Sequence, residues 1–179
     1  MHYRELKQAW SELTAPGAPF EIVDIPVRGN NIRMYKNAPP SVRELWLSTA
    51  AYGDRDYLVY ENDRLTYAQA HAQVNAIAAW LFAQGVQPGD RVAIAMRNYP
   101  EWMLLYWACV STGIAVVGMN AWWVADEMEY AIKDSEPKVI FADAERLERI
   151  LERPDAAKGI RLVAVRVDPT PAGTIPFSD

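Results

Sequence analysis

The sequence predicts an α/β protein: a parallel, doubly wound sheet flanked by helices, with an N-terminal arm and a small β-hairpin. Three observations lead there. Four short runs rich in β-formers recur at residues 91–96, 114–119, 138–142 and 161–167. The gaps between the first three runs, and the start of the last gap, hold helical stretches with start or stop signals. Such alternation calls for right-handed crossovers, hence parallel strands with helices on the sheet faces. Finally, 179 residues, 51% hydrophobic and 23% charged, suit one packed domain or a large subdomain and exclude disorder as the main state. The spatial order of the strands is not readable from local pattern.

Residues 1–40 read as an arm. A short helix over 3–13 places Leu6, Trp10 and Leu13 on one face. Pro16, Gly17 and Pro19 end it, and Pro26, Pro39 and Pro40 interrupt the remainder of the arm. Such a stretch is too short for a core of its own. It is expected to lie across a larger body through Trp10, Phe20, Ile22 and Tyr35.

The α/β unit spans 41–167. Ser41 and Glu44 have capping-box spacing and open a helix that stops near Gly53. Residues 57–60 and 64–66 flank the polar Glu61-Asn62-Asp63, a hairpin pattern. Thr66 and Gln69 form a second box before a helix with the apolar stripe Ala70, Val74, Ile77, Ala78 and Leu81. Gly85 is placed to end that helix, and Pro88-Gly89 turns the chain into 91–96. Asn98 or Tyr99 caps the next helix, with Pro100 in its first turn. Residues 101–112 are apolar almost all round, so burial on most sides is expected, and Gly113 ends the helix. After 114–119 come a Trp-Trp loop and a helix over about 126–133. Asp143 is placed to cap a helix over 144–151. The tail, 168–179, carries Pro169, Pro171 and Pro176 and shows no periodicity.

Charge and composition exclude several functions. Lys plus Arg is 18 and Asp plus Glu is 23, a net charge of −5, opposite to the footprint of a nucleic-acid binder. One cysteine, Cys109, excludes an internal disulfide and a Cys-based zinc site. The polar N-terminus, with Glu5 and Glu12, is no secretory signal. The longest apolar run, 102–110, is nine residues, against roughly 20 for a transmembrane segment. A cytoplasmic location is the expectation.

The chemistry-bearing residues are few. Neither G-x-x-x-x-G-K-[ST] nor G-x-G-x-x-G occurs. Ser111-Thr112-Gly113 sits where a helix ends, and the dipole there repels anions. His2 and His71 have no second His or Cys at ligand spacing. Cys109 lies inside an apolar helix, where a thiol is inert. Asp126, Glu127 and Glu129, like Glu145 and Glu148, fall in the opening turns of helices, where negative charge is stabilising. Trp122 and Trp123 follow the carboxyl end of a parallel strand, the edge where open α/β sheets place ligands. They suit first a cover for the sheet edge packed on the next helix, and second the wall of an acyl or aryl pocket or an interface anchor.

An ordered set of short motifs resembles the N-terminal region of adenylate-forming, AMP-binding acyl-CoA synthetases. Leu65-Thr66-Tyr67 opens a helix, and Gly85-Val86 with Pro88-Gly89-Asp90-Arg91-Val92 leads into a strand. Asn98 and Pro100-Glu101 start the apolar helix, and Ala115-Val116-Val117 precedes Asn120. Glu127, Tyr130 and Asp134-Ser135 lead to the strand ending at Asp143. Asn120-Ala121-Trp122-Trp123 is most similar to bacterial fatty-acid–CoA ligases, as are Ala15-Pro16-Gly17 and Lys36-Asn37-Ala38-Pro39-Pro40 in the arm. Gly118-Met119 departs from the family, which more often has Pro-Leu there. The resemblance implies part of a large N-terminal domain and, for the full enzyme, ATP, Mg2+ and CoA as cofactors. It places the phosphate loop, the adenine-binding segment and the catalytic lysine downstream of the matched region. It therefore implies no catalytic, cofactor-binding or metal residue within 1–179, and an inactive, structural chain. Its implied partners are the remaining domains of its parent chain. The alternatives are a free-standing module binding an apolar ligand near Trp122 and Trp123, or a self-associating one.

Overall fold

The structure, a computed structural model, describes residues 3–178. The chain forms two compact units, Met1–Ser41 and Val42–Asp179. In the first, α1 (Tyr3–Thr14) precedes the antiparallel strands β1 (Ile22–Val27) and β2 (Asn30–Tyr35). This hairpin lies in the stretch that the sequence reads only as a proline-interrupted arm. Arg28 and Gly29 take φ of 49° and 82°, the two-residue turn whose twist matches its strands. Pro26 pairs with Asn31 in a ribbon that is all edge, where a missing N–H is tolerated. Phe20 packs edge-on against Tyr35, centroids 6.0 Å apart.

In the second unit, α2 (Val42–Ser48) passes into a 3-10 turn at Thr49–Tyr52, closed by Gly53. The hairpin of β3 (Asp56–Tyr60) and β4 (Asp63–Thr66) comes next. Then α3 (Tyr67–Ala83) starts with a full capping box. The Gln69 N–H donates to Thr66 Oγ1 (3.2 Å), and the Thr66 N–H donates to Gln69 Oε1 (2.9 Å). Of the expected stripe, Ala70, Val74 and Leu81 are buried, and Ile77 and Ala78 half-buried.

The remaining elements are β5 (Arg91–Ala95), α4 (Pro100–Ser111), β6 (Ala115–Gly118), α5 (Ala125–Ser135), β7 (Val139–Ala142), α6 (Ala144–Leu151), β8 (Arg161–Ala164) and β9 (Ile175–Pro176). All five strands among them pair in parallel, in the order β6-β5-β7-β8-β9. The four expected strands are present. β9 adds a fifth within 168–179, where two residues are too short to show a period.

Side chains alternate across the sheet. Val92, Ile94, Val139, Phe141 and Val163 meet Leu81 of α3 and Leu105 and Cys109 of α4. Ala93, Ala95, Ile140, Ala142, Leu162 and Ala164 meet Met128 and Ile132 of α5 and Leu147 and Ile150 of α6. Burial on both faces explains why these strands read as unbroken apolar runs rather than alternating ones. The chain passes from β5 to β6 on one side, then crosses to β7 on the other. Connections diverge between β5 and β7, which makes that pair the topological switch point.

Candidate functional site

Ligands of open α/β sheets bind at the carboxyl ends of the strands, at the switch point. Here that position is built from Arg97, which follows β5, Asn120 to Val124, which follow β6, and Asp143, which follows β7. Asp143 caps α6 as the sequence predicts: its Oδ1 accepts from the Arg146 N–H at 3.2 Å. Its Oδ2 accepts from the Arg97 N–H at 3.0 Å, bridging the β5 and β7 ends. Arg146 lies one turn into α6 and is 1% exposed, and its Nη1 pairs with Asp143 Oδ2 at 3.1 Å. A buried ion pair holds only if both partners are well hydrogen-bonded. Arg146 Nε accordingly donates to the Ala121 carbonyl (2.8 Å).

The Trp-Trp loop is held from the same helix. Arg149 Nη1 donates to the carbonyls of Ala121 (3.1 Å) and Trp123 (2.9 Å). Asn120 Oδ1 accepts from the Trp122 N–H (2.9 Å). Glu127 Oε2 accepts from the Val124 N–H at the start of α5 (2.9 Å). The two indoles have different fates. Trp123 is half-buried and packs against the core under α5 and α6. Trp122 is 70% exposed, with the Arg97 guanidinium 4.5 Å from its ring centre.

A second cation–aromatic group borders the edge. Arg166, at φ 56°, pairs with Glu101 (2.8 Å) and lies 5.0 Å from the rings of both Tyr60 and Tyr99. It ties the β3–β4 hairpin to the first turn of α4.

His71, Cys109 and Ser111 to Gly113, also singled out by sequence, lie apart from this edge. His71 stacks on the buried Trp46 (centroids 4.0 Å), which also stacks on Trp107 (4.9 Å). Burial lowers the His71 pKa. Cys109 is buried in α4, and burial pushes its thiol up to about 12, so it is no nucleophile. Ser111 to Gly113 end α4, with Thr112 Oγ1 donating to the Ala108 carbonyl (2.7 Å). His2 lies outside the described residues. The opening-turn acids serve structure: Asp126 and Glu129 pair with Arg153, and Glu145 pairs with Arg146 and Arg149. An apolar groove of about 370 Å³ lies between α3 and β9, lined by Ile77, Trp80, Phe141, Val163 and Phe177 among others.

Arg97, Arg146 and Arg149 do not stand out in the sequence. The available signal is Asp143, Arg146 and Arg149 at three-residue spacing, which puts all three on one side of a helix start. The donor set does not suit a magnesium–triphosphate pair. The Asp143 carboxylate is spent on Arg97 and Arg146, and among the described residues no three His, Cys, Asp or Glu side chains are grouped to hold a metal.

This arrangement defines a class: an open, doubly wound α/β domain with a polar, arginine-rich carboxyl edge. The chain belongs to the AMP-binding enzyme family, whose model matches residues 45–176. A medium/long-chain-fatty-acid–CoA ligase of Mycobacterium tuberculosis is 35% identical over 118 residues, covering 65% of this chain and 20% of that protein. Fatty acyl-CoA synthetase A of Dictyostelium discoideum is 32% identical over 111 residues, covering 62% of this chain and 16% of that protein. The chain thus spans about a fifth or less of the length of these relatives. A crystal structure of an anthranilate CoA ligase with anthranoyl-AMP superposes with a TM-score of 0.73 at 20% identity, over 78% of this chain and 27% of that one. That likeness shows the fold.

Proposed function

We propose that this chain is the N-terminal sheet-bearing part of a fatty-acid–CoA ligase, which forms an acyl-adenylate from ATP and passes the acyl group to CoA. The observation that carries this reading is the family match over 45–176, joined to 35% identity with a fatty-acid–CoA ligase. Within that enzyme the chain is a scaffold. ATP, magnesium and CoA belong to the other domains of the same protein, and Trp122 faces either those domains or the acyl substrate. The chain works in the cytoplasm and takes no nucleic acid. Among the described residues, no helix is long and apolar enough to cross a membrane.

Incubation of the chain with ATP, magnesium, CoA and fatty acids of several lengths is expected to release no AMP or acyl-CoA above background. Product above background overturns the scaffold reading. A second reading, self-association, is favoured by the exposure of Trp122, Val124 and Tyr130 at 70%, 59% and 70% around the start of α5.

A further inference from the structure

We propose that the crevice between β5 and β7 contains an anion hole that the chain fills with its own Asp143 carboxylate, so that no ligand phosphate or carboxylate enters there. Four hydrogen bonds line the hole. Asp143 Oδ1 receives the Arg146 N–H (3.2 Å) and Arg146 Nη1 (3.3 Å). Asp143 Oδ2 receives the Arg97 N–H (3.0 Å) and Arg146 Nη1 (3.1 Å). These are the groups that seat a ligand anion in other proteins: backbone N–H groups of a helix start and a strand end, and a guanidinium.

Two further observations point the same way. Asp143 and Arg146 are 4% and 1% exposed, so the site is dry. Arg146 Nη2 is buried and has no hydrogen-bond partner among the described residues. Arg146 Nη1 serves both Asp143 and Glu145, and Nη2 remains as spare donor capacity. Glu145 Oε2 reaches Arg146 Nη1 from the solvent side at 3.2 Å, so an anion arriving at this edge must displace Asp143 from a guanidinium that already serves two carboxylates or stay outside, on Arg97 and Trp122. A further anion beside these two carboxylates meets like-charge repulsion at short range. The inference holds whichever acid the parent enzyme activates.

Chemical rescue tests it. Asp143→Ala in a Glu145→Gln background removes the carboxylate, denies its neighbour the vacated place and leaves the donors, and is expected to lower Tm by several degrees relative to Glu145→Gln alone. Sodium formate is then expected to raise Tm saturably in the millimolar range, as a ligand of the folded state. Sodium chloride at equal ionic strength is not, and the double variant Asp143→Ala/Arg146→Met is not expected to respond to formate. No formate response in Asp143→Ala, an equal response to chloride, an equal formate response in the chain that keeps Asp143, or a responsive double variant overturns the proposal. If Asp143→Ala does not fold, Asp143→Asn keeps the shape. It is then expected to speed exchange of the Arg97 amide roughly tenfold, the loss of one charged hydrogen bond. The Ile94 and Ile140 amides should be unchanged, and a uniform change or none overturns the proposal. Inorganic phosphate added to the parent chain is expected to leave Arg97 exchange unaltered; slowed exchange overturns it as well.

Discussion

His71 shows how one residue's surroundings become a pH dependence. Its Nε2 is 3.0 Å from Thr49 Oγ1, and that hydroxyl lies 2.6 Å from the Trp46 carbonyl. A hydroxyl has one proton, so if it goes to the carbonyl the imidazole Nε2 must donate. Burial beside Trp46 disfavours the imidazolium and lowers the pKa. The unfolded chain then takes the proton first as pH falls below about 6.5. Stability contributed by neutral His71 is therefore complete above that pH and is lost as pH falls through the lower, folded value. Urea midpoints between about pH 7.5 and pH 5.5, above the carboxylate range, should decline with acid. Replacing His71 by Gln should flatten the slope. An unchanged slope in that variant would assign the dependence to other groups. Cys109 is the opposite case, a thiol too buried to ionise at any working pH.

Among the elements, α3 is the one most fully legible in the sequence. Thr66 and Gln69 announce its start, and both bonds of the box are made. Thr66→Ala should cost about 1 kcal/mol, within a range of roughly 0.5–2. The check is the urea midpoint at constant slope; a loss under about 0.3 kcal/mol would mean the box is not holding the helix. The arm is harder to read. Pro26 breaks the strand pattern, and only Gly29 marks the turn of β1 and β2. The edge is half legible. Trp122 and Trp123 stand out because they follow a strand. Their anchors do not, because Arg97 reaches Asp143 across 46 positions and Arg149 reaches Trp123 across 26. Local spacing carries no trace of such pairings. The strand order is hidden for the same reason, since it consists of long-range contacts alone.

For the whole molecule, the question is what the exposed apolar residues meet. Trp122, Val124 and Tyr130 lie within nine positions, from the loop before α5 to its middle, and all three are exposed. Sedimentation of the chain over a range of concentrations should show reversible association, and a clean monomer throughout would remove the self-association reading. The sheet itself limits the form such association can take. Its β9 border is two residues long and ends in Pro176, which offers no N–H to an incoming strand. A copy seeking to extend the ladder there finds a blunted template. Strand addition is therefore disfavoured at this border, and a copy that associates must do so through a face of the chain or through the longer β6 border on the opposite side.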